Sequence, residues 1–308
     1  MKPQRVSVLL NASAGTAEAA NCDQLRAALE LAFQSHAISA DLEFLSGEDL
    51  RAGAERALQR ATGGELDAII VGGGDGTIST VASVVVDSGV PLGIIPLGTL
   101  NHFAKDLKIP LAVDEAVALI AAGETRTVDV GEVNGRTFIN NSSIGIYPYS
   151  VLVRERQRRA EGLPKWLAMI LAGLKALRYF PLRRLSICVS GCVEAHRSPC
   201  VFIGNNVYQI NGATLGTRDR LDDGELCLYV AKQQSRLGLL WLGCRALLGF
   251  LDGQRDLRIY NSSAVEISSH HRRLLVALDG EIEKIRSPLH YRIRPRALRV
   301  FTNSPHGA

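Results

Sequence analysis

Hydrophobic and polar positions follow two different rhythms along this chain. Up to about residue 125, short apolar runs at 6–10, 40–45, 68–71 and 90–95 are each closed by polar or glycine-rich residues. Such runs predict buried strands, because a strand covered on both faces carries no polar alternation. Between them the apolar positions fall at helical spacing. Leu25, Leu29 and Ala32 share one face, and further helices are predicted over 50–61, 78–86 and 114–122. Asp114 is placed to cap the last of these. Strands alternating with helices predict a parallel sheet covered on both sides. The turns at Asn11, Gly72 and Leu97 all follow strands. They would gather along the carboxyl edge of the sheet, where open α/β folds bind ligands.

Beyond Arg126 the rhythm shortens. Strand-like segments at 127–133, 136–140, 185–189, 199–203, 224–230, 263–268 and 274–278 follow one another with turn residues between them. That predicts an antiparallel sandwich or barrel. The chain is therefore expected to divide into an α/β domain over 1–125 and a β-sandwich domain over 126–296. The tail 297–308, with a short strand at 297–302, can return to either. A helical insert over 154–182 interrupts the second domain, with Leu163, Trp166, Leu167, Ile170, Leu171 and Leu174 on one face and a strongly basic surround. It suits packing on its own core, or an interfacial helix that meets anionic lipid. The stretch 236–250 has a similar character but is interrupted by Gly238, Gly243 and Gly249.

Composition narrows the class. With 308 residues, 46% hydrophobic and 21% charged, the chain suits a soluble protein of two domains. A formal charge of +4 gives no reason to expect a nucleic-acid partner. The six cysteines lack metal-ligand spacing and read as reduced thiols, which points to the cytoplasm. The opening residues are too short in apolar length for a signal peptide. The stretch 237–251, broken by Arg245, falls short of a bilayer span.

Candidate chemistry centres on Asp67-Ala-Ile-Ile-Val-Gly-Gly-Gly-Asp-Gly-Thr77. A strand, a glycine turn and a helix start make an anion site. Glycines let backbone N–H groups approach a phosphate, and the helix N-terminus adds partial positive charge. Neither the Walker lysine nor the G-x-G-x-x-G spacing is present. Asp75 is the informative residue, since a carboxylate in a phosphate cradle needs a metal or a hydroxyl between it and the ligand.

Gly73-Gly-Asp-Gly-Thr77, followed by Pro96-Leu-Gly-Thr-Leu-Asn101, resembles the diacylglycerol kinase catalytic-domain family, which includes bacterial lipid kinases and has sphingosine kinases and NAD kinases as relatives. Asn11-Ala-Ser-Ala-Gly15 is similar to the family's Asn-Pro-x-x-Gly loop, with Ala12 in place of proline. Val128-Asp-Val-Gly131, Phe138-Ile-Asn-Asn-Ser-Ser-Ile-Gly145, Asp222-Asp-Gly-Glu-Leu226 and Leu278-Asp-Gly-Glu281 match the second domain in order and spacing. The resemblance covers nearly the whole chain.

It implies a nucleotide-binding α/β domain, a β-sandwich domain, and ATP and substrate in the cleft between them. It implies Mg²⁺-assisted transfer of the γ-phosphoryl group to a hydroxyl of a diacylglycerol-like or sphingoid lipid, as in phospholipid biosynthesis. The nucleotide is then expected at Asn11, Gly73, Gly74, Asp75, Gly76, Thr77, Gly98, Thr99 and Asn101. Glu281 matches the family's catalytic carboxylate, a general base, with Asp75 acting near the metal or triphosphate. Asp223 matches a carboxylate that holds a structural Mg²⁺. The plainer alternatives are a surface turn acid at Glu281 and a hairpin Asp-Gly at Asp223. His102 departs from the pattern, since several bacterial relatives carry an aspartate there. An NAD kinase-like enzyme, or a nucleotide-binding regulatory protein without turnover, stays open as an alternative. The cysteines point to the cytoplasm, and the interfacial reading of the basic helix over 154–182 would add peripheral contact at the inner, anionic face of the membrane. Neither the lipid nor the oligomeric state is legible.

Overall fold

The computed structural model describes residues 2–12, 19–145, 183–189, 192–198, 200–209, 216–232, 235, 238 and 256–303. The expected insert helix over 154–182 and, but for Gly238, the stretch 236–250 lie outside the described residues. The chain forms two compact units, 1–130 with 294–308, and 131–293.

In the first unit the elements run β1 (Arg5–Asn11), α1 (Ala19–Ser35), β2 (Ser39–Leu45), α2 (Leu50–Thr62), β3 (Ala68–Gly73), α3 (Asp75–Val85), β4 (Leu92–Pro96), α4 (His102–Asp106) and α5 (Val113–Ala122). β5 (Thr125–Val133) then leads into the second unit. The sheet order is β2-β1-β3-β4, all parallel, with Val300 of the returning tail beside Leu92. Val6, Val8, Ile69, Ile70, Ile94 and Ile95 are almost fully buried, as a sheet with helices on both faces requires. α1 packs with α5 and α2 with α3, as right-handed crossovers demand of this strand order. The chain steps to one side of β1 for β2 and to the other for β3, so the switch point lies between β1 and β3.

Two local details differ from the pattern-based expectation. α3 starts at Asp75, not near residue 78, because Gly74 is extended (φ −89°, ψ −178°) and serves as its N-cap. Asp114 sits in the first turn of α5, whose N-cap is Ala112.

The second unit is antiparallel, as expected. One sheet has the order β12 (Leu257–Ser262), β11 (Leu226–Ala231), β10 (Cys200–Asn205), β7 (Asn141–Gly145), β14 (Arg273–Leu278) and β15 (Glu281–Arg286). The other pairs β9 (Cys192–Ser198), β8 (Arg183–Val189), β13 (Ala264–Ser269) and the first half of β16 (Leu289–Phe301). The hairpin of β5 with β6 (Arg136–Phe138) turns on Asn134 and Gly135, both at positive φ, an Asn-Gly turn suited to a right-twisted hairpin. The core lies between these sheets. Ile144, Val201, Ile203, Leu228 and Val276 meet Ile187, Ile267, Leu289, Tyr291 and Phe138.

Candidate active site

β1, β3 and β4 end side by side, with Leu10 opposite Gly72 and Gly73 opposite Pro96. Their loops therefore meet at the switch point. Asn11 Nδ2 donates to Thr77 Oγ1 at 2.9 Å, tying the first loop to the first turn of α3. Gly98 is packed so closely that a Cβ there would lie 2.5 Å from Cα of Gly74. Asn101 adopts the left-handed conformation (φ 50°, ψ 47°), which asparagine tolerates. Its amide closes the loop on itself, Nδ2 donating to Gly98 O at 2.8 Å and Oδ1 accepting from Gly98 N at 3.0 Å. Asn101 is 5% exposed, so its side chain shapes the loop, whereas Thr99 and Leu100 face solvent.

The first-turn N–H groups of any helix lack intrahelical acceptors, and Gly74 supplies no side-chain cap to α3. These donors open onto the glycine turn. Asp75 is half-buried, and its Oδ1 accepts from Phe103 N at 3.2 Å. The carboxylate thus caps α4 from a distance and fastens the Leu97–His102 loop to the glycine turn. Pattern reasoning missed this, because α4 is too short to show periodicity. His102, exposed, is the first residue of α4.

The second unit carries the other two expected residues, along one edge of the six-stranded sheet. β14 and β15 are joined by Asp279 (φ 47°) and Gly280 (φ 93°), a two-residue turn with both residues at positive φ. Glu281 follows at once, exposed at the start of β15. Asp279 is fixed: its carboxylate accepts from the backbone N of Ile139 (2.8 Å), Asn140 (2.8 Å) and Asn141 (3.0 Å). Asp223 precedes β11 on the same edge, its N donating to Asn206 Oδ1 at 3.2 Å.

A divalent ion needs about six oxygen ligands. At Asp223 the chain offers the paired carboxylates of Asp222 and Asp223, and Arg220 Nε lies 3.4 Å and 3.0 Å from them. Among the described residues no three acids, histidines or cysteines gather as a metal site. The guanidinium offsets one of the two negative charges and occupies a carboxylate oxygen of each, so as placed the pair falls short of the ligand set of a structural Mg²⁺. The glycine turn, by contrast, presents the first-turn N–H groups of α3, donors of the kind that suit an anion, beside the Asp75 carboxylate.

The outer face of the six-stranded sheet is apolar and aromatic. Phe202 meets the rings of Tyr208 and Tyr229 at 5.4 Å and 5.8 Å. Cys227 and Ala277 are buried beside them, and burial pushes the Cys227 thiol up to about 11 and the Tyr229 phenol well above its usual range. Ser143 Oγ is buried there with no hydrogen-bond partner among the described residues.

An α/β unit with a phosphate-suited cradle, followed by an antiparallel β-sandwich unit, is the architecture of NAD kinase- and diacylglycerol kinase-like proteins. Residues 5–133 match the diacylglycerol kinase catalytic domain, and residues 146–302 match the YegS C-terminal NAD kinase beta sandwich-like domain. The chain belongs to the diacylglycerol kinase catalytic-domain family of lipid kinases. It is 28% identical over 243 residues to a Yersinia enterocolitica protein named "Probable lipid kinase YegS-like", covering 74% of this chain and 76% of that one. It is 27% identical over 225 residues to a "Diacylglycerol kinase" of Staphylococcus aureus, covering 72% and 70%. A match at 29% identity to an uncharacterized Synechocystis protein covers 76% of this chain and 54% of that protein's length. The crystal structure of a diacylglycerol kinase from Bacillus anthracis shares the fold, with a TM-score of 0.68 at 20% identity over 98% of each chain. Among the described residues no helix is long and apolar enough to cross a membrane.

Proposed function

We propose that this chain is an ATP-dependent kinase that transfers the γ-phosphoryl group to a hydroxyl of a diacylglycerol-like or sphingoid lipid. The convergence of Asn11, Gly73–Thr77 and Gly98–Asn101 at the switch point carries the reading. Phosphoryl transfer is mainly positioning and charge stabilisation, and this cradle offers fixed backbone donors at a helix N-terminus. Mg²⁺ bound with the nucleotide would neutralise charge developing on the phosphates. Asp75 orients the two loops and presents a carboxylate to that ion. Glu281, held at a rigid turn by Asp279, takes the proton of the acceptor hydroxyl. The aromatic outer face around Phe202 and Tyr229, with its buried Ser143 hydroxyl, supports an apolar acceptor that carries a polar group. Such an acceptor places the enzyme at a membrane surface while it works.

The test is incubation of the purified chain with γ-labelled ATP, Mg²⁺ and a total lipid extract. Label is expected in an organic-soluble lipid phosphate. Label appearing only in NADP when NAD is supplied, or no transfer at all, would overturn the proposal.

A further inference from the structure

Arg218 is 3% exposed. A guanidinium is a permanent cation, and burying one is costly unless its donors are met by well-placed acceptors. Here Nη1 donates to the backbone O of Ile139 at 2.8 Å and of Asn205 at 3.0 Å, and Nη2 to Asn140 Oδ1 at 2.7 Å. The guanidinium carbon also lies 5.1 Å from the centre of the Tyr208 ring. The acceptors are not scattered. Ile139 O also accepts from Asn205 Nδ2 at 2.9 Å, and Asn140 O accepts from Asn205 N at 2.9 Å. The cluster thus joins the short link between β6 and β7, Ile139 and Asn140, to the end of β10 at Asn205.

The same link is gripped by Asp279. The peptide unit between Ile139 and Asn140 presents its oxygen to Arg218 and its N–H to the Asp279 carboxylate. One peptide is thus polarised between a buried cation and an anion, and hydrogen bonds in such a chain strengthen one another. Asp279 stands at positive φ, two residues before Glu281, so its anchoring sets where that carboxylate emerges. We infer that Arg218 is a positioning residue: through the Ile139–Asn140 peptide it fixes Asp279, and thereby the turn that presents Glu281. This rests on the reading of Glu281 as the base.

Arg218→Lys keeps the charge but not the fork, since an ammonium cannot span two backbone oxygens and Asn140 Oδ1 in this planar geometry. Amide hydrogen exchange on the folded full chain reads the link without needing activity. The amides of Ile139, Asn140 and Asn141 should exchange about tenfold faster in Arg218→Lys, with the Gly73–Thr77 amides unchanged. In the kinase assay, kcat should fall about tenfold with KM for ATP within twofold, a split that general destabilisation would not give. Combining it with Asp279→Asn should give less than the product of the two single losses, because both act on one peptide. Should Arg218→Lys fail to fold, Asn140→Ala removes one acceptor, leaves the cation in place, and should show the same exchange pattern at smaller amplitude. Unchanged exchange at 139–141 in a folded variant would overturn the inference. A parent chain without kinase activity, but with the exchange pattern intact, would sink the kinase reading and leave Arg218's anchoring role standing.

Discussion

Gly98→Ala puts the geometry of the proposed nucleotide cradle to a quantitative test. A Cβ on residue 98 would lie 2.5 Å from Cα of Gly74 and 2.8 Å from Asn101 Oδ1. Non-bonded carbons rest at about 3.5–4.0 Å, so the glycine turn and the Leu97–Asn101 loop must part by about 1 Å. The nearest atom is backbone, so a side chain cannot rotate away to relieve the contact. Overpacking of this kind costs about 1–3 kcal/mol. The strained segment is a pair of surface loops, so most of that cost should appear as a displaced cradle and little of it as unfolding. If binding must restore the parent geometry, a strain of about 1–3 kcal/mol appears as a loss of about one to two powers of ten in affinity. ATP affinity, measured by titration calorimetry with a non-hydrolysable analogue, should fall about 10- to 100-fold with Tm lowered by only a few degrees. Gly47→Ala is the control, since a Cβ there meets nothing within 4 Å. Affinity within twofold of the parent in a folded Gly98→Ala chain would refute the close approach of the two loops as the basis of binding.

Other expectations follow from named contacts. Asp75→Asn keeps an acceptor for Phe103 N, so thermal denaturation should shift by no more than about 2 °C, while kinase activity falls by roughly 10²-fold or more; native activity would remove Asp75 from the chemistry. Asp67 is held below the usual carboxylate range by the backbone N–H groups of Gln4 and Arg5. Its contribution is present above the unfolded value near 3.8 and lost as pH falls through the lower folded value. Asp67→Asn should therefore destabilise the chain by about 1 kcal/mol at pH 7 and flatten its acid-side loss of stability; parallel pH profiles for variant and parent would contradict this.

The pattern of apolar runs foretold the parallel strands well, because a buried strand in an α/β sheet is written as an unbroken apolar segment. The strand–turn–helix around Gly72–Gly76 was equally plain, since a glycine run closes the apolar segment there, though α3 begins at Asp75, earlier than the apolar spacing suggested. Strand β15 was not read: Glu281-Ile-Glu-Lys-Ile-Arg286 is mostly charged, because it forms a sheet edge. The 13-residue β16 was read only at its end, since Pro295 in its middle argues against a continuous strand. Asp75 reads as a ligand group, yet it also caps α4 across 28 residues of sequence, a contact that only the fold creates. Arg218 gave no signal at all. An arginine among Thr217, Asp219 and Arg220 reads as solvated, and its burial depends on Ile139, Asn140 and Asn205 arriving from elsewhere.

Proton removal by Glu281 during γ-phosphoryl transfer to a lipid hydroxyl is tested most directly by single-turnover transfer from γ-labelled ATP to diacylglycerol in mixed micelles, for the parent and for Glu281→Gln. The parent should place the label in the lipid phosphate, and the variant should do so roughly 10²- to 10⁴-fold more slowly with ATP binding unchanged. Label released only as inorganic phosphate, or equal transfer rates in the two proteins, would contradict the account.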